Sequence, residues 1–245
     1  KLIRSLMQDD TVTITVGTTY ENAANLAAPA LAQLKKKYEG TRLGRQELLA
    51  QVLDDVPGAL WNRDNLDLYR VMKTPELVRV VVGIDPAVTA NTDSNETGIV
   101  VCGVDGAGVG YVLDDVSLRG SPIEWARQAI SAYHKHEADR LIAEVNQGGD
   151  MVEQTIRTED KSVSYKSVRA SKGKHTRAEP ISALYEQGRV RHVGAFAELE
   201  DQMCTWVPGE DSPDRVDALV WALTELMLGT PAVLEKAINP FTRRR

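Results

Sequence analysis

Cysteine is scarce in this sequence: its 245 residues hold two, Cys102 and Cys204. Each lies in an apolar stretch without a second ligand at metal-binding spacing, which argues against a disulfide framework and against a zinc site. Both are expected in a core, in a reducing compartment. Long apolar runs are missing too. At the start, Leu2, Ile3, Leu6 and Met7 are too few and too interrupted by charge to form a signal sequence or a membrane span. Positive charge is in deficit, with a net charge of −6. Polyanion affinity comes from lysine and arginine releasing counterions, so nucleic acid cannot be held by the whole surface and any such surface must be local. The G-x-x-x-x-G-K-[ST] phosphate loop is also absent, since the glycines between Gly103 and Gly110 lack its lysine. The chain is therefore not expected to hydrolyse ATP by itself. Internal repeats and low-complexity stretches are absent.

What is present is enough for one sizeable core and a smaller accessory unit, with 42% hydrophobic and 26% charged residues. The β-branched run 11–16 reads as a strand ending at Gly17, followed by helix-compatible spacing from Glu21 to Lys37 and again from Gln46 to Leu53. After the Pro57-Gly58 turn, Trp61 to Met72 reads as an irregular crossing segment, and a domain boundary is placed near residue 75. Leu77 to Asp85 is almost continuously apolar, as for a strand covered on both faces. Thr97 to Val104 and Gly110 to Leu118 follow as strands joined by a tight turn at Asp105-Gly106. Ser121-Pro122-Ile123-Glu124 opens a helix to about Ala138. A strand at Arg140 to Val145, a short helix at Met151 to Arg157 and a strand at Ser162 to Val168 come next. A helix over Thr176 to Gln187 tolerates Pro180 in its first turn. A short strand at Arg189 to Val193 then precedes a final helix, capped at Ser212-Pro213 and running to about Leu228.

Carboxylates sit at the ends of these elements. Asp85 closes an apolar strand just before Pro86, and Glu144 occupies the same place in Leu141-Ile142-Ala143-Glu144-Val145, where an unpaired charge would be costly to bury. Asp214 and Asp217 are three residues apart on one face of the last helix, in its first two turns. Each has an ordinary structural explanation: a turn residue before proline, a partner for Arg140, stabilisers of a helix N-terminus. Together they form an oxygen-only donor set suited to Mg²⁺ or Mn²⁺. Two such ions about 3.5–4 Å apart can activate water on one side of phosphorus and stabilise the leaving oxygen on the other. The local cationic stretch is Lys166, Arg169, Lys172, Lys174, His175 and Arg177, which reads either as a DNA phosphate contact or as a solvated loop. Trp125 and Trp221 read as core or groove-wall residues of amphipathic helices.

The order of strand, hairpin strands, helix, strand and acidic helix resembles the RNase H-like nuclease fold, an α/β fold with a mixed sheet flanked by helices. The residues carrying this are Val82-Gly83-Ile84-Asp85-Pro86, Ile142-Ala143-Glu144-Val145-Asn146 and Pro213-Asp214-Arg215-Val216-Asp217-Ala218-Leu219. Gly17-Thr18-Thr19-Tyr20 and the stretch Tyr38-Glu39-Gly40-Thr41-Arg42-Leu43-Gly44-Arg45-Gln46-Glu47 resemble the end of a phage large terminase ATPase domain. The resemblance implies an ATPase remnant and linker over 1–75, a nuclease domain over 76–230 and a tail over 231–245. It implies metal-binding catalytic roles for Asp85, Glu144 and Asp217, with Asp214 as a fourth ligand, and a part for Thr18 and Thr19 in coupling ATP hydrolysis to DNA movement. The function implied is cutting of concatemeric double-stranded viral DNA during packaging in the host cytoplasm, away from membranes. Its partners would be a terminase small subunit and a portal ring, on which the chain could self-associate. ATP would serve only the intact protein, because the motor half is expected to be missing from this piece. A resolvase-like nuclease, an actin-like nucleotide-binding module and a packaging subunit with a degenerate site are the alternatives; the terminase-like front segment separates the first, and the paired acids on the last helix oppose the second.

Overall fold

The computed structural model describes residues 11–38, 44, 48–50, 56–86, 96–145, 149–169 and 173–228. The chain divides into two compact units, Lys1–Val56 and Pro57–Arg245. In the first, a 3₁₀ turn at Ala23–Asn25 precedes helix α1, Ala28–Tyr38. The expected helix start at Glu21 is too early. Pro29 disfavours helical backbone in the residue before it and lacks an N–H, so it fits the first turn but not a continuous helix from Glu21. The strand expected at 11–16 does not form: Ile14 and Val16 are exposed, and among the described residues no second strand pairs with this run. Thr18 and Glu21 exchange bonds, Thr18 N–H donating to Glu21 Oε2 (2.7 Å) and Glu21 N–H to Thr18 Oγ1 (3.1 Å), a local cap that Thr18 can serve irrespective of any coupling role. Of the helix expected over Gln46 to Leu53, only 48–50 fall among the described residues.

The second unit begins ahead of the boundary read near residue 75. Asn62 caps a short helix α2, Arg63–Leu68, by accepting the Asn65 N–H at 2.8 Å. Trp61 and Leu66 are buried in the core of this unit, so burial there, and not composition, decides where the compact unit starts. Strand β1, Leu77–Asp85, pairs antiparallel with β2, Glu96–Asp105, which pairs with β3, Gly110–Asp115, and with the two-residue β4, Leu118–Arg119. The turn after β2 spans four residues. Asp105 accepts the N–H groups of Ala107 and Val109 (both 2.9 Å), and the positive φ falls on Gly108 and not at the expected Asp105-Gly106 pair, because the Asp105 side chain organises a wider loop.

Helix α3, Pro122–Lys135, starts where predicted, with the Ser121 N–H donating to Glu124 Oε2 at 2.8 Å. Then come β5, Arg140–Glu144; α4, Gly149–Glu159; β6, Tyr165–Val168; α5, Lys174–Glu186; β7, Val190–His192; α6, Ala197–Thr205; and α7, Asp214–Leu223, continuing as a π-helical turn Thr224–Leu228. The sheet order is β6-β5-β1-β2-β3-β7. Alternate residues of the central strands serve two cores. Val80, Val82 and Ile84 face Trp125, Ala126 and Ala129 of α3, whereas Val81, Val100 and Ile142 face Val216, Leu219 and Leu223 of α7. Helices therefore cover both faces of the sheet, and every strand bearing an acid is central. Cys102 and Cys204 are buried, neither in a disulfide, in their apolar settings, and among the described residues no helix is long and apolar enough to cross a membrane.

Candidate active site

Two strand ends and one helix start bring the acids together. β1 and β5 run parallel with Ile84 opposite Ala143, so Asp85 and Glu144, each one residue further on, emerge side by side. Opposite Asp85 on β2 stands Gly98, and a Cβ there would lie 2.0 Å from the Asp214 carbonyl oxygen. Only glycine allows the first turn of α7 to rest on the sheet at this point. Gly83 does the same one turn on, where a Cβ would meet the Ala218 carbonyl oxygen at 2.3 Å. These two close approaches set Asp214 and Asp217 over the end of β1. Gly98→Ala should accordingly destabilise the chain by about 1–3 kcal/mol, as overpacking does, and displace the two helix acids. Urea unfolding of the variant checks the first effect and its metal affinity the second.

Asp85, Glu144 and Asp217 are buried, while Asp214 is half-buried. Burial raises the Asp85 carboxyl, and repulsion from Asp217, Glu144 and Asp214 adds to it despite the opposing Lys174 ammonium, to about 8. Burial likewise lifts Asp214 to about 6, with Glu96 and Asp217 contributing. Lys174 Nζ lies 2.5 Å from Asp217 Oδ2. Desolvation opposes the Lys174 charge, but Asp217, Asp85 and Glu144 outweigh it and raise its pKa. Ser212 Oγ also donates to Asp217 Oδ2. Ser212 was expected as a helix cap, yet Pro213 holds the cap position without a side-chain bond, because the Ser212 hydroxyl is committed to the acid. Glu144 Oε2 accepts from Trp221 Nε1 at 2.6 Å and from Arg177 Nη1 at 3.2 Å. Arg140, the alternative partner for Glu144, pairs with Glu225 instead.

The predicted cationic stretch is divided by the fold. Lys174 and Arg177 enter the acid cluster. His175 is exposed and pairs with Glu179 one turn on, Arg169 is exposed at the end of β6, and Lys166 pairs with Glu225 beyond the C-terminal end of α7 (2.7 Å). Lys172 lies outside the described residues. Trp221, read from the sequence as core or groove wall, is in addition a donor to a site acid; its position four residues after Asp217 is the signal that could have found it.

Among the described residues, no three Asp, Glu, His or Cys side chains converge tightly enough to hold an ion as they stand. Lys174 and Arg177 supply positive charge among the acids in this arrangement. The donor set nevertheless fits a hard divalent cation. It is all carboxylate oxygen, and a carboxyl driven to about 8 by burial and like charges is one whose ionised form a dication would stabilise.

A family model described as Terminase RNaseH-like domain matches residues 82–226. No curated protein matches the chain. Among solved structures the chain is similar to the large terminase nuclease of thermophilic phage G20c, with 13% identity and a TM-score of 0.50, over 69% of this chain and 98% of that one. It is also similar to the nuclease domain of the large terminase subunit gp2 of bacterial virus Sf6, with 12% identity and a TM-score of 0.52, over 67% of this chain and 98% of that one. A large terminase of a second thermophilic bacteriophage matches with 15% identity and a TM-score of 0.52, over 86% of this chain but only 54% of its own length. The G20c nuclease has also been solved with bound zinc. At these identities the likeness concerns the fold, an RNase H-like mixed sheet flanked by helices.

Proposed function

The chain belongs to the terminase RNase H-like domain family, and from that premise we propose that it is a metal-dependent endonuclease that cuts concatemeric double-stranded viral DNA during genome packaging. The observation that carries this reading is the meeting of Asp85 and Glu144, at the ends of the central strands β1 and β5, with Asp214 and Asp217 of α7, with Asp85 raised to about 8 by burial and by the other three. Asp85, Glu144 and Asp217 would hold the ions, with Asp214 at the more open side. Mg²⁺ or Mn²⁺, as a pair, would supply a nucleophile at neutral pH and charge stabilisation at the leaving oxygen. Ser212 and Lys174 hold the Asp217 carboxylate in place. Lys174 is half exposed and can turn from Asp217 toward a phosphate oxygen. The exposed Arg169 and His175 would extend that contact, with Lys172 proposed from the sequence alone, giving salt-dependent binding with little sequence preference.

Further parts of the proposal rest on the family and on length. The chain spans about half of the matched full large terminase, and the part ahead of the second compact unit, residues 1–56 of the stretch read as 1–75, is proposed as the end of an ATPase domain, with Thr18 and Thr19 at a coupling position. ATP would then serve the intact protein. A small subunit and a portal ring are the proposed partners in the host cytoplasm, with self-association on the portal.

Supercoiled plasmid offered with Mn²⁺ or Mg²⁺ should be nicked and linearised, whereas EDTA should stop the reaction and Ca²⁺ should support binding without cutting. Cleavage that persists in EDTA, or none with any metal, would overturn the metal-nuclease reading.

A further inference from the structure

Glu144 is held by two donors on the same oxygen. Trp221 Nε1 and Arg177 Nη1 both reach Oε2, at 2.6 and 3.2 Å. The Arg177 guanidinium lies over the Trp221 ring, 4.4 Å from its centre, so the two donors also brace each other. Asp217 and Trp221 are four residues apart on α7, one above the other on the helix face turned to the sheet. The helix that carries the acids thus also carries the residue that orients the acid on the strand.

An apolar core does not require this bond. Trp61 Nε1 is buried with no partner among the described residues, and Trp206 Nε1 donates to the Glu210 carbonyl at 3.3 Å. The Trp221 indole is the one directed at a site carboxylate. Two donors on Oε2 fix the rotation of the carboxylate and leave Oε1 as the oxygen without a donor among the described residues. A ligand oriented before the ion arrives need not be ordered on binding.

We propose that Trp221, braced by Arg177, is a positioning residue that presents Glu144 to the catalytic metal. The inference rests on the nuclease reading above and deepens it. Partners of this type change metal affinity by about 10- to 100-fold when removed.

The test uses the whole chain and two readouts, calorimetric Mn²⁺ binding and nuclear magnetic resonance of the indole N–H groups. Trp221→Phe keeps an aromatic ring beside Arg177 and removes the N–H donor together with part of the indole, a loss of size that the Trp125→Phe control shares. It should weaken Mn²⁺ binding by about 10- to 100-fold while cleavage at saturating Mn²⁺ falls much less. Trp125→Phe, in the other core, should leave Mn²⁺ binding as it is, and Trp221→Phe should add little in a Glu144→Gln background. Arg177→Met, which keeps the indole, should shift binding in the same direction. In the unmodified chain, which needs no variant to fold, Mg²⁺ should move the Trp221 indole resonance more than the other three. Unchanged Mn²⁺ affinity in Trp221→Phe, or a Trp221 resonance indifferent to bound Mg²⁺, would sink the inference and leave the nuclease reading standing. A parent chain that neither binds Mn²⁺ nor cuts DNA would remove both.

Discussion

Asp85→Asn is expected to have two opposite effects, abolishing cleavage while stabilising the metal-free fold. The loss of cleavage should reach at least about 100- to 1,000-fold, the scale on which removal of one preorganised electrostatic group acts in a catalytic site, and Asp217→Asn should match it. The stability effect follows from linkage. The Asp85 carboxyl sits at about 8 in the folded chain against an ordinary value of 3.8, so between those limits the folded state retains a proton that the unfolded state has released. Stability therefore falls as pH rises from about 4 to about 8 and levels off above it. Asparagine removes this penalty. The advantage of the variant in EDTA should be absent below about pH 4, grow through the interval and amount to a few kcal/mol, to order of magnitude, above pH 8. Thermal unfolding in EDTA at pH 5, 7 and 9 measures it. Mg²⁺ should then raise the melting temperature of the parent chain by binding only the folded state, and should leave the variant almost unmoved. An Asp85→Asn chain less stable than its parent at pH 9 in EDTA would show that the acid is not under the strain described.

Glu200→Ala should be the most damaging substitution outside the acid cluster. Glu200 is fully buried on α6 and accepts from Arg63 Nη1 (2.8 Å) and Arg70 Nη2 (3.0 Å). His192 Nδ1 lies 2.9 Å from its Oε1, and Tyr185 in turn reaches His192 Nε2 at 2.9 Å. Truncation takes from His192 Nδ1 its carboxylate and leaves Arg63 only Asp201 and Arg70 only Asp67 and the Gly194 carbonyl, and removing one partner from a buried network of this kind costs about 3–5 kcal/mol. For a unit of this size that is roughly 6–20 °C in melting temperature. Burial alone would raise the Glu200 carboxyl, but His192 and Arg70 hold it down to about 2, from an ordinary 4.5. A depressed folded value means that the stabilisation is complete above about pH 4.5 and is lost as pH falls through 2. Glu200→Gln should therefore flatten the acid limb of the unfolding profile between pH 4.5 and 2, which circular dichroism reads directly. A Gln variant with the same acid limb as the parent would show that the charge is not held in this way.

The same network explains one limit of sequence reading. Helix α6 and helix α2 carry no strong period that announces them, and the segment from Trp61 to Met72 reads as irregular. Both are fixed by distant partners: Arg63 and Arg70 meet Glu200, and Trp61 rests against Trp206 and Tyr185. A residue separation of this size has no local signature. The strand expected at 11–16 fails for the related reason that β-branched residues favour extended backbone but a strand also requires a partner. By contrast, the acid-bearing elements were legible because their signals are short-range. β1 spans Leu77–Asp85 as read, β5 ends at Glu144, and α7 opens at Asp214 just after Ser212-Pro213.

By itself, the sequence determined the acid-bearing elements, their polarity and the candidate acids. An unbroken apolar run ending in Asp85-Pro86, a strand ending at Glu144 and two acids three residues apart on a helix are properties of neighbouring residues, and periodicity and side-chain chemistry suffice to read them. Only the tertiary structure decided what those acids face. The parallel register of β1 with β5 and the glycine contacts at Gly83 and Gly98 bring four carboxylates to one place, while Lys166 is carried to Glu225 and Lys174 to Asp217. It also decided that Trp221 donates to Glu144, because a hydrogen bond across the sheet-to-helix interface depends on the packing distance between elements, which no local pattern encodes.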